Sequence, residues 1–352
     1  MILARRYLKI FCNFIILIIV FSCDRFFRDQ DFYLVKSGNG YTVFDTKNRE
    51  YSRIDIFRED FKSSIVCCDE IDCFRVLYIP EDGFYNFTLI DGNDSLVTYK
   101  KYIEATDSNY FEITFLDVKQ GDCTIIKGMD GKITVVDGGY GSYSSGLGNW
   151  AGSGEKILVN YLIENNYNSI YNLIITHDDM DHKGGILDVL NDDRFVVGNF
   201  YDGSVSDLLE GDFLDIGNSE KSIVLNPPSN FPNFGSNNGS IVLGIDYLDF
   251  SLLLTGDIEN EGEEWLLDMD YVDDIDLLKL AHHGSKYSSS ESFLSISLPE
   301  SVIISSGKGN PYNHPHPNVI KRLNGKNIFR TDTDGTIKVL TDGYNYQTIF
   351  MR

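Results

Sequence analysis

Positive charge is what this chain has least of. Thirty Lys and Arg face 53 Asp and Glu, for a formal net charge of −23. Binding to nucleic acid or anionic membrane by charge alone needs an excess of cations to displace counterions, so the composition excludes it as the main mode of action. A metal-assisted reaction on a phosphate stays open, because there the metals themselves supply the positive charge. Cysteine is also sparse, at six residues. With Cys12 and Cys23 set aside, Cys67, Cys68, Cys73 and Cys123 are left. The segment Cys67 to Cys73 has no histidine near it, so a short disulfide from Cys73 to Cys67 or Cys68 is expected in an oxidising compartment, rather than a metal site. A phosphate loop is missing as well. Gly152-Ser153-Gly154-Glu155-Lys156 has neither the spacing nor the Lys-Ser/Thr ending that such a loop requires.

Long apolar runs are scarce too. Ile10 to Phe21 is interrupted by Asn13 and is short of the about 20 residues that a membrane span needs. It follows Arg5, Arg6 and Lys9, which together with it read as a signal peptide over residues 1–22. Val20-Phe21-Ser22-Cys23 resembles a bacterial lipobox, which implies cleavage before Cys23 and lipid attachment to its thiol. The expected location is therefore the bacterial cell envelope, outside the cytoplasm, with the membrane as a partner through that lipid. Residues 23–108 read as a small β-rich accessory domain. Tyr41–Phe44, Phe74–Ile79 and Phe84–Ile90 are β-type runs, and turn signals such as Asp82-Gly83 and Asp91-Gly92 separate them. This stretch offers no candidate ligand.

From residue 109 to 352 the pattern changes. Apolar β-branched runs end repeatedly in polar loops: Ile133–Val136 at Asp137-Gly138-Gly139, Tyr171–Ile175 at Thr176-His177, Phe250–Leu254 at Thr255-Gly256-Asp257, and Ile275–Ala281 at His282-His283-Gly284-Ser285. Helices are expected near 155–164 and 261–267, and another begins near His182, where Gly184-Gly185 permits close backbone approach. The chain has six histidines, and they fall in three clusters at 177/182, 282/283 and 314/316. Scattered core histidines would not group so. His177, Asp179, Asp181 and His182 lie within six residues at a strand end, and imidazole with carboxylate suits zinc, manganese or iron. Candidates that recur at strand ends describe a site on the rim of packed sheets.

These residues resemble the metallo-β-lactamase superfamily over roughly residues 110–350, and within it the hydrolase domain of ComEC-type competence proteins. The likeness is carried by Asp117-Val118-Lys119-Gln120-Gly121-Asp122, Val136-Asp137-Gly138-Gly139, Thr176-His177-x-Asp179-x-Asp181-His182-x-Gly184-Gly185, Asn237-Asn238-x-Ser240, Leu253-Leu254-Thr255-Gly256-Asp257, His282-His283-Gly284-Ser285 and His314-Pro315. It implies an α/β fold, a four-layer αβ/βα sandwich with two divalent metal ions, zinc or manganese, at one edge. By position, His177 and Asp179 would bind the first ion and Asp181 and His182 the second. Asp257 would bridge them, and His282 or His283 would complete the second site. His314 would be a ligand or substrate contact, Asp181 would orient the attacking water, and Asn238, Ser240 and Ser285 would stand near the substrate. Two departures favour oxygen ligands and hence manganese: Asp179 stands where the superfamily usually has histidine, and Asn238 or Ser240 occupies the region of a further expected histidine.

The expected function is thus an exported, lipid-anchored metallohydrolase acting on a phosphodiester-type substrate, DNA among the candidates, with no protein partner indicated. Two alternatives stand beside it. One is a non-catalytic surface binding module on the same scaffold; the other is hydrolysis of another ester or of a β-lactam. Metal content separates the module from the enzymes.

Overall fold

The computed structural model describes residues 32–37, 40–45, 53–66, 74–91, 94–103, 106, 110–217, 220–229 and 235–351. Residues 1–22, read above as a signal peptide, Cys23, expected to carry a lipid, and the Cys67–Cys73 segment lie outside the described residues. Cys123 is a buried free thiol. Among the described residues no helix is long and apolar enough to cross a membrane.

The N-terminal part supplies strands β1 (Phe32–Ser37), β2 (Gly40–Asp45), β3 (Arg53–Arg58), β4 (Phe61–Val66), β5 (Phe74–Val76), β6 (Gly83–Asp91) and β7 (Asp94–Ile103). The next stretch runs β8 (Phe111–Phe115), β9 (Thr124–Lys127), β10 (Ile133–Val136), α1 (Ile157–Glu164), β11 (Ser169–Ile175), α2 (Met180–Leu190) and β12 (Val196–Asp202). After it come β13 (Phe213–Leu214), β14 (Glu220–Asn226), the single turn α3 (Gly235–Asn238), β15 (Val242–Tyr247), β16 (Phe250–Leu254) and α4 (Asn260–Asp268). The chain closes with β17 (Leu277–Lys279), α5 (Glu291–Ser297), β18 (Ser301–Ile304), α6 (Pro317–Arg322), β19 (Asn327–Arg330), the turn α7 (Thr331–Asp334), β20 (Thr336–Thr341) and β21 (Tyr346–Met351).

Two large sheets form, in the orders β12-β11-β10-β9-β8-β20-β21-β4-β3-β6-β7 and β13-β14-β15-β16-β17-β18-β19, and β1-β2-β5 make a third, small one. Strands such as Ile133–Val136 and Ser301–Ile304 are buried on both faces, which is why they read as continuous apolar runs rather than as alternation. Their inner faces meet through Ile113, Phe115, Ile126, Val136 and Ile174 from one sheet and Leu243, Leu252, Leu254, Leu277 and Ile303 from the other. Helices α1 and α2 cover the outer face of the first sheet with Leu158, Leu162, Ile186 and Val189. Helices α4, α5 and α6 cover the second with Leu266, Phe293, Leu294 and Val319. Helix, sheet, sheet, helix is the expected four-layer sandwich.

The β-rich segment continues the first sheet edge to edge. Strand β4 pairs antiparallel with β21, from Gln347 opposite Ile65 to Phe350 opposite Lys62. The buried Gln347 side chain locks the seam. Its Oε1 accepts from the backbone N–H groups of Leu77 and Tyr78 at 2.7 and 2.8 Å, and its Nε2 donates to Ser63 Oγ and to the Tyr78 carbonyl.

Candidate metal centre

Parallel strands β10 and β11 end side by side, as do β16 and β17 in the facing sheet, so the loops after them open at one edge of the sandwich. The loop after β11 carries His177, and Asp179 is the residue from which α2 departs, which puts Asp181 and His182 in its first turn. That turn sits close because Gly184 and Gly185 press on the backbone of Tyr140 and Gly138; a Cβ at either would overlap a carbonyl oxygen. Across the edge, the loop after β16 carries Asp257. After β17, His282 and His283 both take left-handed conformations, with φ of 49° and 53°. Non-glycine residues rarely adopt this conformation, and here it turns two consecutive imidazoles into the site.

The side chains converge on one carboxylate. Asp257 Oδ2 lies 3.2 Å from His182 Nε2, 3.4 Å from His283 Nε2, 3.7 Å from His282 Nε2 and 3.9 Å from His177 Nε2. His283 Nε2 is also 3.4 Å from Asp181 Oδ2, and His177 Nε2 is 3.5 Å from Asp179 Oδ2. Asp122, His182, Asp257 and His283 are all buried, and each offers a ligand atom within 4.8 Å of the others'. His282 reaches outward as well, with Nδ1 3.2 Å from Glu259 Oε1. The ring of His314 stands 5.5 Å from that of His282 and 6.2 Å from that of His283. Five of the six histidines therefore gather. His316 does not: it accepts the Asn318 N–H and caps α6.

An outer layer fixes the tautomers. Asp137 Oδ2 holds His182 Nδ1 at 2.7 Å and accepts the Thr176 hydroxyl, while its Oδ1 accepts the Thr176 N–H. Nδ1 of His177 faces the hydroxyls of Thr176 and Ser240, and Nδ1 of His283 faces the Ser305 carbonyl at 3.0 Å. With Nδ1 engaged, each ring presents Nε2 inward. Nε2 of His177, His182 and His283, together with one oxygen each of Asp122 and Asp257, is buried without a hydrogen-bond partner. Buried polar atoms normally have partners, so three orphaned imidazole Nε2 atoms around the Asp257 carboxylate fit divalent cations.

Charge points the same way. Burial alone would raise the Asp257 carboxyl, yet His182 and His283 hold it well below the carboxylate range. Burial opposes a proton on His283, yet Asp257 and Asp122 push the ring up to about 10, and Asp257 and Asp137 likewise raise His182. The carboxylates thus demand positive charge here, which cations can provide in place of imidazolium protons. His314 differs: burial, then His283 and His282, push it down to about 4, so it is neutral at physiological pH.

Three expected substrate-side residues face the protein interior. Asn238 Oδ1 accepts the N–H groups of Glu259 and Gly262, Ser240 Oγ accepts the Asp257 N–H at 3.1 Å, and Ser285 Oγ accepts the Tyr287 N–H. All three are buried. Sequence reasoning gave no role to Asp122, Asp137 or Lys279. Lys279 Nζ, 2 % exposed, pairs with Asp122 Oδ2 at 2.6 Å. The signal for the two carboxylates was their position, next to or just beyond the ends of apolar strands. Lys279 had none, since a lysine in an apolar strand most often snorkels to water.

A groove of about 1270 Å³ lies elsewhere, between the β-rich segment and β20–β21. None of the clustered His or Asp residues lines it, and Arg58, Lys62 and Lys338 there are paired with Asp60, Asp334 and Glu112.

A four-layer αβ/βα sandwich with an Asp/His cluster at the sheet edge defines a class, and the sequence agrees. The pattern of the metallo-beta-lactamase superfamily matches residues 116–308, and the chain belongs to that superfamily. Among its relatives is ComE operon protein 3 of Bacillus subtilis (strain 168), 31% identical over 271 residues that cover 69% of this chain and 34% of the relative. Recombination protein 2 of Haemophilus influenzae is 30% identical over 223 residues, 60% of this chain and 26% of the relative. Competence protein ComA of Neisseria gonorrhoeae is 32% identical over 182 residues, 47% of this chain and 24% of the relative. The chain thus spans about a third or less of these proteins, and the likeness to competence-type hydrolase domains is borne out. A solved metallo-beta-lactamase fold protein, YhfI from Bacillus subtilis, superposes with a TM-score of 0.42 at 9% identity, covering 62% of this chain and 96% of YhfI.

Proposed function

We propose that this hydrolase acts on a phosphodiester with two divalent cations, and that it is exported and lipid-anchored through Cys23. The observation that carries the metal reading is the approach of four imidazole Nε2 atoms to Asp257 Oδ2, with the inward Nε2 of His177, His182 and His283 lacking any other partner. His177 and Asp179 would hold a first ion and Asp181, His182 and His283 a second, with Asp257 within reach of both and Asp122 on the buried side. His283 is preferred to His282 because it alone of the two approaches both Asp181 and Asp257. Such cations supply Lewis acidity toward a phosphoryl oxygen and toward water. Asp181 would orient the attacking water. His314, neutral, contacts the substrate. The choice of a phosphodiester, DNA among the candidates, is supported by relatives whose names refer to competence and recombination. Export is supported by the basic, apolar and Ser22-Cys23 pattern of the first 23 residues.

Asp257→Asn tests the core of this reading. Asn caps a helix about as well as Asp, so a mere cap would lose little stability and no metal. A bridging carboxylate loses the charge shared by two cations. The expected result is loss of at least one metal by elemental analysis and a fall of at least ~100-fold in hydrolysis of bis-p-nitrophenyl phosphate, with an unchanged circular dichroism spectrum. Full metal content with a near-normal rate would refute the two-metal reading.

A further inference from the structure

Beside the metal centre, a continuous series of aromatic rings leads outward. From His314 the next ring is Tyr312, 5.8 Å away and tilted by only 29°. Trp150 meets Tyr312 edge-on at 5.8 Å, and Tyr140 meets Trp150 edge-on at 6.1 Å. The Tyr140 and Tyr312 hydroxyls are 3.5 Å apart. Tyr312 is 50% exposed, and Trp150 and Tyr140 are partly exposed. Three large rings, one half exposed and two partly exposed, beside a buried polar site are poor core packing. They make a shelf.

The shelf is rigid. The Trp150 carbonyl accepts the Gln120 N–H at 2.9 Å, and Gln120 Oε1 accepts the Gly307 N–H at 3.1 Å. Gly307 lies so close that a Cβ there would overlap the Trp150 carbonyl oxygen. Asn310 bonds both the N–H and the carbonyl of His314, fixing the Tyr312 loop. Ser142 binds Asp188 through its N–H at 2.7 Å, anchoring the loop before Trp150 to α2. The exposed Lys308 follows Gly307 directly and makes no ion pair among the described residues. Partly exposed aromatic rings are surfaces on which unstacked nucleobases can stack, and a cation such as Lys308 can attract their backbone. A duplex keeps its bases stacked and so offers no free base face to such rings.

We propose that Tyr312 and Trp150 form a stacking subsite for the nucleobase adjoining the scissile phosphodiester, so that the site takes single-stranded rather than duplex polynucleotide. This rests on the phosphodiester reading above. Two esters test it on the full chain with manganese: thymidine 5′-(p-nitrophenyl phosphate) and methyl p-nitrophenyl phosphate. In both, water adds to phosphorus and p-nitrophenolate leaves, so only the base-bearing group differs. The ratio of their kcat/KM values should fall about tenfold in Trp150→Ala and in Tyr312→Ala, the scale of one lost base–aromatic stack, and be largely kept in Trp150→Phe. An unchanged ratio in both alanine variants overturns the proposal. A binding measurement stands apart from turnover and from variant folding. The chain has two tryptophans, so Trp265→Phe leaves Trp150 as the sole indole. With calcium in place of manganese, oligothymidylate should quench its fluorescence saturably, and an abasic oligomer or a duplex of equal length should not. Equal responses to all three, or none to any, overturn it. Failure of the wild type to hydrolyse either ester would refute the phosphodiester reading instead, and the fluorescence titration then judges the shelf alone.

Discussion

At the scale of single residues, the site is a balance of buried charge in which Asp122 is the least obvious member. Its partner Lys279 comes from a strand whose other side chains are apolar, and the pair is closed to water at 2.6 Å. Removing one partner of such a pair leaves the other charge uncompensated, which costs about 3–5 kcal/mol. Lys279→Met, which keeps the bulk, is expected to lose that much in urea unfolding in EDTA, and less when manganese is present to neutralise Asp122. Equal losses in both conditions would mean that Asp122 does not face the cations. His177, His182, Asp257 and His283 were legible as site residues because histidines so few and so clustered have little structural reason to gather. Asp122, Asp137 and Lys279 were not, because a lone charged residue at a strand end reads equally well as a turn or a cap.

At the scale of elements, strands with continuous apolar runs were legible and edge or late ones were not. Strand β16 lies where its apolar run predicts, at Phe250–Leu254. Strand β12 shows no such run: its burial alternates between exposed and half-buried along Val196–Asp202, as an outermost strand's does. Nor could local pattern show that β20 pairs with β8 and β21 with β4, because those partners are more than 200 residues apart. That seam bears on the β-rich segment. A chain starting at residue 109 would lack the whole β4 ladder, leaving the β21 edge open and Leu340 and Ile349 without part of their cluster. Open edges of this kind pair with other chains. The shortened chain is therefore expected to self-associate in size-exclusion chromatography while keeping its metal per folded chain, since no candidate ligand precedes Asp122. A monomer as stable as the full protein would show the seam to be dispensable.

At the scale of the whole molecule, an acidic body carries a site whose buried carboxylates call for positive charge. If the first residues act as proposed, the metal centre works at a membrane surface. Cys23→Ala is then expected to move the protein from the membrane to the soluble fraction, or to leave it unprocessed, as read by fractionation and intact mass. Unchanged partition with unchanged mass would remove the lipid anchor. The amino-acid sequence by itself determined the superfamily and the sandwich and pointed to most of the residues that cluster, because Asp and His grouped at strand ends are local motifs with few structural reasons to gather. Only the tertiary structure decided that Asp257 is the common neighbour of four imidazoles, that Nε2 of His283 rather than of His282 lies between Asp181 and Asp257, that Asn238 and Ser240 hold the site from within, and that Tyr312 and Trp150 stand beside it. Those outcomes depend on how loops from opposite sheets meet at one edge, and the spacing of residues along a single strand carries no record of that meeting.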